Sequence, residues 1–286
     1  MAGIPVVERI ADLGAWAHEQ RCAGRVVGLV PTMGALHDGH LSLVSRAAAE
    51  CDAVVLTIFV NPLQFGPGED LAAYPRTPEA DVAAAAGAGA SIAFAPPAEE
   101  MFPGEVATGV HVAGLSEVLD GRFRPTHFDG VATVVAKLFA IVGAARAYVG
   151  EKDYQQLAIV RRMAGDLSFP VEVVGCPIVR ARDGLALSSR NAYLTPEERA
   201  AAPVLLRALR SGASAIAAGE RSPVAVTDLV GAIVEAEPLA ALDAADVVDA
   251  ATLRTPTVLT GELRILVAAR FGRARLIDNV AVSTPP

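Results

Sequence analysis

Short apolar runs alternate, over the first two thirds of the chain, with stretches whose apolar residues recur at helical spacing. The runs at 26–30 and 53–60 are nearly continuous and rich in β-branched residues, which is typical of strands buried on both faces. The stretch at 40–49 places Leu43 and Ala47 on one side of a helix. This alternation predicts an α/β fold with a doubly wound parallel sheet of about five strands.

Further elements complete the predicted sheet and its covering helices. The predicted helices are 6–20, 78–88, 131–142 and one that ends near 167, and the predicted strands are 91–95, 146–149 and 171–175. Thr77 and Pro78 supply an N-cap and a first-turn proline for the helix at 78–88. In the less regular segment after residue 96 we expect a strand at 106–112 and a helical turn at 115–119.

The pattern changes after Arg180. A capping box with proline at the first helical position, at 195–198, predicts a helix that continues to about 218, and Ser222-Pro223 begins another. Three strands follow, of which the last two form a hairpin; the predicted strands are 245–250, 263–269 and 273–280. We therefore predict two domains, 1–178 with the parallel sheet and 179–286 as a smaller α+β domain.

Composition limits the class of protein. The chain has 286 residues and a net charge of −8, which argues against a general affinity for nucleic acid. Its longest apolar stretch, 131–149, contains Lys137 and Arg146 and does not predict a membrane span. The N-terminal pattern is an amphipathic helix and not a signal peptide, so we expect a cytosolic protein. The three cysteines lie far apart and predict neither disulfides nor a metal site.

The segment 31–40 carries the first candidate chemistry. His37 and His40 stand where the helix at 40–49 begins, and Gly34, Ala35 and Gly39 leave room for a ligand to approach the backbone. A helix N-terminus attracts phosphate, so this arrangement suits a polyphosphate. Two alternatives remain open: the histidines only cap the helix, or they form half of a zinc site that needs two further ligands.

Four polar segments, at 31–40, 61–66, 150–156 and 187–191, follow predicted strands or lie near the domain boundary. Together they supply imidazoles, amides, hydroxyls, a guanidinium and the ammonium of Lys152. Positive groups offset phosphate charge, and neutral amides can bind a carboxylate or hydroxyls. Such a set suits ATP together with a small carboxylic acid.

Six segments, taken in order, resemble a known family. His37-Asp38-Gly39-His40 after the first strand is similar to the signature of the nucleotidyltransferase superfamily. The matching segments are 31–40, 59–65, 74–77, 125–128, 150–156 and 188–191. With all of them in view, nearly the whole chain resembles the pantoate–β-alanine ligases.

The resemblance implies a Rossmann-like nucleotide-binding domain over which a smaller C-terminal domain closes. It implies ATP-dependent condensation of (R)-pantoate with β-alanine to pantothenate through a pantoyl adenylate, with release of AMP and pyrophosphate. Mg²⁺ is expected to accompany ATP, and the family is usually homodimeric.

The resemblance also implies roles for individual residues of this chain. His40, as proton donor, His37 and Lys152 would be catalytic. The residues expected to bind ATP are Met33, Gly34, Ala35, Leu36, His37, Asp38, Gly39, His40, Gly150, Glu151, Lys152, Asp153, Val179, Leu187, Ser188, Ser189 and Arg190. The residues expected to bind pantoate are Gln64, Gln156 and Asn61. Asp81 occupies the family's acidic position for Mg²⁺, but Ala80 departs from the pattern beside it.

Two rival functions and several residues stay open at this point. An adenylyltransferase that leaves AMP on its product would share the histidine segment, and so would a nucleotide-sensing or RNA-binding protein without turnover. Arg122, Arg124 and His127 fit either a position near the phosphates or an ordinary loop. Asp183 and Asp278 are expected to be structural.

Overall fold

The computed structural model describes residues 3–67, 69 and 71–284. These residues form two compact units. The first contains the chain up to Glu151 together with Gln155–Pro177, and the second contains Lys152–Tyr154 and the chain from Ile178 onward. The chain thus passes between units next to the proposed boundary at 178/179. The hydrophobic pattern of the sequence does not predict that Lys152–Tyr154 belong to the second unit.

Six parallel strands form the sheet of the first unit. They are β1 (Val6–Val7), β2 (Val27–Thr32), β3 (Ala53–Ile58), β4 (Ile92–Phe94), β5 (Ala145–Gly150) and β6 (Val171–Cys176). Their order is β1-β4-β3-β2-β5-β6, and β2 pairs with β3 from Val27↔Ala53 to Thr32↔Ile58. The predicted doubly wound α/β fold is confirmed. The additional strand is β1, whose two residues are too few to show a hydrophobic period in the sequence.

Helices cover both faces of this sheet. They are α1 (Ile10–Cys22), α2 (Asp38–Glu50), α3 (Pro78–Ala88), α4 (Ala98–Met101), α5 (His127–Val142) and α6 (Tyr154–Asp166). Leu29 of β2 lies in a core with α1, α5 and α6, whereas its neighbour Val30 lies in another with α2 and α3. Burial on both sides explains the continuous apolar runs of β2 and β3.

The segment around residues 106–112 is not a strand, so that prediction is wrong. Side chains of α5 hold it instead of a neighbouring strand, at one backbone amide and at one side chain. The Val110 N–H donates to Thr133 Oγ1 at 2.9 Å, and His111 Nδ1 lies 2.9 Å from Asp129 Oδ1. The helical turn that was expected at 115–119 lies later, as a 3-10 helix at Leu119–Arg122.

The second unit packs three helices on an antiparallel sheet. The elements are α7 (Pro196–Ala201), α8 (Val204–Ala217), α9 (Pro223–Glu235), β7 (Ala241–Asp249), β8 (Glu262–Phe271) and β9 (Ala274–Ser283). The sheet order is β7-β8-β9, and the predicted hairpin turns at Gly272 with φ +53°. The smaller α+β fold is confirmed. The single helix expected from 195 to 218 is divided between α7 and α8, since Pro203 lacks an N–H to continue the ladder.

The N-terminus of α7 has the capping box that the sequence predicts. The Thr195 N–H donates to Glu198 Oε2 at 2.9 Å, and the Glu198 N–H donates to Thr195 Oγ1 at 3.3 Å. Within the described part of the chain, no helix combines the length and apolarity needed to cross a membrane.

Helix α5 approaches the turn that follows β3 with no room for a side chain at Gly130. A Cβ atom there would lie 2.3 Å from the Leu63 carbonyl oxygen and 2.6 Å from the Gln64 nitrogen. The Asn61 side chain closes the same contact by donating to the Gly130 carbonyl at 3.0 Å. The turn at Pro62–Gln64 therefore packs directly against the backbone of α5.

Gly130→Ala should destabilise the fold by about 1–3 kcal/mol, because the new methyl group meets backbone atoms that cannot move aside locally. Gly165→Ala in α6 is the matched control, since a Cβ there meets nothing within 4 Å. Alanine in a helix should make that variant neutral or more stable by roughly 0.5–1 kcal/mol. Urea unfolding of both variants measures the difference; equal stabilities would contradict the close contact.

Candidate active site

A buried carboxylate holds the loop between β2 and α2. Asp81 of α3 is 3% exposed, and its two oxygens accept from the Ala35 N–H at 2.9 Å and the Leu36 N–H at 2.8 Å. The Thr77 hydroxyl adds a bond of 3.1 Å. These three bonds give Asp81 a structural task at the loop. Its predicted contact with Mg²⁺ stays a prediction.

The same loop turns sharply at Gly34, where φ is +84°. The Gly34 N–H donates to Thr32 Oγ1 at 3.2 Å, and the Thr32 hydroxyl donates to the Thr57 carbonyl at 2.6 Å. A Cβ at Gly34 would lie 2.9 Å from Asp81 Oδ2 and 3.0 Å from Ile58 Cγ2. Both the backbone angle and the lack of space therefore require glycine here.

His37 and His40 cap the N-terminus of α2 reciprocally. His37 Nδ1 accepts from the Gly39 N–H at 3.1 Å, and His40 Nδ1 accepts from the His37 N–H at 3.4 Å. The ring centroids lie 4.1 Å apart. A neutral imidazole that accepts at Nδ1 carries its proton on Nε2, so this geometry assigns both rings the Nε2–H tautomer.

Capping thus uses Nδ1 of each ring. The Nε2–H groups have the polarity that suits an anion at the N-terminus of a helix. For the zinc alternative, the described residues contain no group of three or more histidine, cysteine or acidic side chains able to hold a metal ion.

Gln64 is oriented by Asn61 and lies against the histidine-bearing loop. Asn61 is 1% exposed; its Nδ2 donates to Gln64 Oε1 at 3.2 Å and to the Gly130 carbonyl at 3.0 Å. Gln64 Nε2 lies 3.0 Å from Met33 Sδ. Both amide protons of Asn61 are therefore engaged within the protein, which favours a role through Gln64. Its predicted contact with substrate stays a prediction.

Arg124 and His127 hold the backbone of Gln64. His127 Nδ1 lies 2.8 Å from the Gln64 carbonyl oxygen, and Arg124 Nη2 donates to the same oxygen at 3.3 Å. Arg124 also makes a two-point ion pair with Glu69, at 2.7 and 2.6 Å. This hydrogen-bonded guanidinium lowers the pKa of the Glu69 carboxyl. Both residues therefore support the Gln64 turn, and a position near the phosphates stays a prediction.

Adjacent glutamines at the start of α6 differ in their surroundings. Gln155 is 5% exposed; its Nε2 donates to the carbonyls of Leu115 and Val118 at 2.8 and 2.7 Å, and its Oε1 accepts from the Asp120 N–H at 3.1 Å. Gln155 is thus a structural clamp on the 115–120 loop. Gln156 is half-buried and has no such bonds within the described residues. Its assignment to pantoate stays a prediction.

The predicted nucleotide segments continue past β5. Gly150 ends that strand, and Glu151–Asp153 form a 3-10 turn. Lys152 belongs to the second unit, where its carbonyl accepts from Asn279 Nδ2 at 3.0 Å. Its Nζ lies 3.6 Å from Asp153 Oδ1. Sequence reasoning missed the Asn279 contact, because no pattern near either residue indicates it.

A short hairpin carries the other predicted ATP residues of the second unit. Arg180 and Ala186 pair as an antiparallel bridge, and the Leu187 N–H donates to the Val179 carbonyl at 3.0 Å. Ser188 Oγ then accepts from the Arg190 N–H at 3.3 Å and begins a 3-10 helix at Ser189–Tyr193. The structure therefore brings Val179 together with the 187–190 segment.

Comparison with known proteins gives one consistent result. The family model for pantoate–β-alanine ligase matches residues 5–281. The pantothenate synthetase of Heliobacterium modesticaldum is 52% identical over 277 residues, which cover 97% of this chain and 99% of that protein. That of Acidobacterium capsulatum is 54% identical over 262 residues, 92% of this chain and 88% of that protein.

Solved structures agree. The crystal structure of pantothenate synthetase from Thermus thermophilus has a TM-score of 0.92 and 48% identity, covering 98% of this chain and 100% of that one. The pantoate–β-alanine ligase from Francisella tularensis, solved in complex with beta-gamma ATP and β-alanine, has a TM-score of 0.80 and 29% identity, with 97% of each chain covered. The resemblance drawn from six short segments is confirmed, and the chain belongs to the pantoate–β-alanine ligase family.

Proposed function

We propose that this protein condenses (R)-pantoate with β-alanine to form pantothenate, with ATP converted to AMP and pyrophosphate. The pantoate carboxylate attacks the α-phosphorus of ATP, and the amine of β-alanine then attacks the resulting acyl adenylate. In a chain of this family, the observation that carries the proposal is the pair of histidines that cap each other's backbone through Nδ1 at the start of α2.

Charge builds on the phosphate oxygens as pyrophosphate leaves, and preorganised donors stabilise it. We assign this role to His40, as proton donor, with His37 and Lys152. In the second unit, Ser188, Ser189 and Arg190 would hold the outer phosphates. Gly150 and Asp153 would contact the ribose, and the Val179 backbone the adenine. The proposed ATP-binding set is completed by Met33, Gly34, Ala35, Leu36, Asp38, Gly39, Glu151 and Leu187.

Gln64 and Gln156 are the proposed ligands of pantoate. Pantoate offers a carboxylate and hydroxyl groups, and a neutral amide can donate to one and accept from the other. Asn61 would act through Gln64, whose side-chain oxygen it holds at 3.2 Å.

Mg²⁺ would arrive bound to ATP. Magnesium retains water and phosphate ligands and needs few from the protein. Asp81, the acidic residue at the expected position, is engaged with loop amides. When bound, the ion would neutralise phosphate charge. The cytoplasmic location and the homodimer stay predictions.

Asp81→Asn tests the two roles of Asp81 against each other. An amide can accept from only one of the two loop N–H groups and turns its own NH₂ toward the other, so we expect a loss of about 1–3 kcal/mol in unfolding free energy. Turnover should fall with it and should not recover when Mg²⁺ is raised. Glu79→Gln, at an exposed acidic residue in the same first turn of α3, is the control. Wild-type stability with activity restored by excess Mg²⁺ would identify Asp81 as a metal ligand.

His40→Gln separates capping from catalysis. Glutamine at this third helical position can still accept from the His37 N–H, as in an ordinary capping box, but it cannot replace the imidazole. We expect near wild-type thermal stability and a turnover lower by roughly 10²–10³-fold, typical for loss of one transition-state donor. His40→Ala should match it in rate and be less stable. Near wild-type turnover in either variant would end the catalytic assignment.

Isotope exchange tests the order of steps. With pantoate and without β-alanine, labelled pyrophosphate should exchange into ATP, because adenylate formation is reversible and needs no amine. Addition of β-alanine should then release free AMP. An adenylylated final product would favour the adenylyltransferase alternative. ATP binding with no exchange would favour the nucleotide-sensing one, and exchange only with β-alanine present would exclude a separate adenylate step.

A further inference from the structure

A buried amide ties the backbone of Lys152 to the sheet of the second unit. Asn279 of β9 is 2% exposed, and its Nδ2 donates to the Lys152 carbonyl at 3.0 Å. We propose that Asn279 is a positioning residue, which places the Lys152 ammonium for adenylate formation. This inference rests on the role proposed above for Lys152.

The Asn279 amide can point only one way. Arg264 of β8 donates from Nη1 to Asn279 Oδ1 at 3.1 Å, so the oxygen faces the guanidinium and the NH₂ group faces Lys152. Arg264 is itself 9% exposed and lies over the Tyr154 ring, with Cζ 3.8 Å from the centroid. The orientation of the amide is therefore set by a buried cation that packs on the same segment.

The backbone of Asn279 is fixed as well. Its N–H donates to Asp278 Oδ1 at 2.7 Å, and its carbonyl accepts from Arg180 Nη2 at 3.3 Å. Asp278 and Arg180 form a two-point ion pair at 2.6 and 2.8 Å, with the aspartate only 3% exposed. Arg180 also begins the hairpin that carries Val179 and the 187–190 segment. The expectation that Asp278 is structural agrees with these contacts.

The other end of the Lys152–Tyr154 segment is also held, since the Tyr154 hydroxyl donates to the Ala250 carbonyl at 3.0 Å. With both ends attached, the Lys152 side chain starts from a defined backbone position. An ammonium that stabilises developing charge loses effect when it is displaced by a fraction of an ångström. Loss of the Asn279 donor should therefore lower kcat more than it raises the KM for ATP.

Asn279→Asp is the direct test. A carboxylate keeps the acceptor for Arg264, which favours folding, but it cannot donate to the Lys152 carbonyl. We expect kcat to fall about tenfold, the scale of one lost hydrogen bond, at a temperature where circular dichroism shows the variant folded. Val234→Ala in α9, a buried site in the core of the same unit, controls for lost stability. Its kcat should remain at the wild-type value although its Tm falls.

A double-mutant cycle separates positioning from general damage. In a Lys152→Ala background, Asn279→Asp should lower kcat no further, because the group that it positions is gone. An equal fall in both backgrounds, or a wild-type kcat in the single variant, would overturn the inference. Lys152→Ala alone tests the proposed function: wild-type activity there would remove the role of Lys152, whereas an impaired Lys152→Ala beside an unaffected Asn279→Asp would reject only this inference.

Arg264→Met gives a second route if Asn279→Asp does not fold. Methionine keeps apolar packing on Tyr154 but releases the Asn279 oxygen, so its amide can rotate away from Lys152. We expect kcat to fall in the same direction by about two- to fivefold, again with no further effect when Lys152 is alanine. Wild-type kcat in this variant would count against the inference.

Discussion

The carboxylate of Asp81 is the constraint on which the first unit's site depends. A loop that turns through left-handed backbone at Gly34 and Ala35 cannot pair its own amides, and buried unpaired amides are costly. Asp81, which belongs to the neighbouring helix α3, accepts hydrogen bonds from two of these loop amides. With the loop fixed in this way, α2 begins at a defined residue, and the two histidines that cap it acquire defined tautomers and positions.

Hydrophobic periodicity predicted the buried strands of the parallel sheet. Strands β2 and β3 are buried on both faces, and their continuous apolar runs follow directly from that burial. The same argument failed at 106–112, a loop in which Val110 and Val112 belong to the core that contains α5 and the Val110 N–H donates to Thr133. Alternation of residue types cannot show whether a backbone partner is a strand or a side chain. The break between α7 and α8 has a signal in the sequence, because Pro203 lacks the backbone N–H that a continuous helix needs.

Local sequence indicates nearness where the candidate residues are contiguous. The residues of 31–40 and of 188–190 lie near one another without any long-range contact, whereas their roles rest on the family resemblance and stay predictions. The structural role of Gln155 was not recognised, although it lies beside Gln156. Only the fold shows which of the two side-chain amides bonds to the 115–120 loop. Asn279 lies 127 positions from Lys152, and nothing local to either residue indicates their contact.

Polar side chains therefore hold the segments that carry the proposed site residues. Asp81 supports the histidine loop, Asn61 and His127 support Gln64, and Asn279 supports Lys152, each through main-chain atoms or a neighbouring amide. Main-chain bonds of this kind leave the supported side chain available for chemistry while they remove the conformational entropy that binding would otherwise have to overcome. A substitution in the supporting layer should accordingly change turnover through geometry, with every reacting group still present.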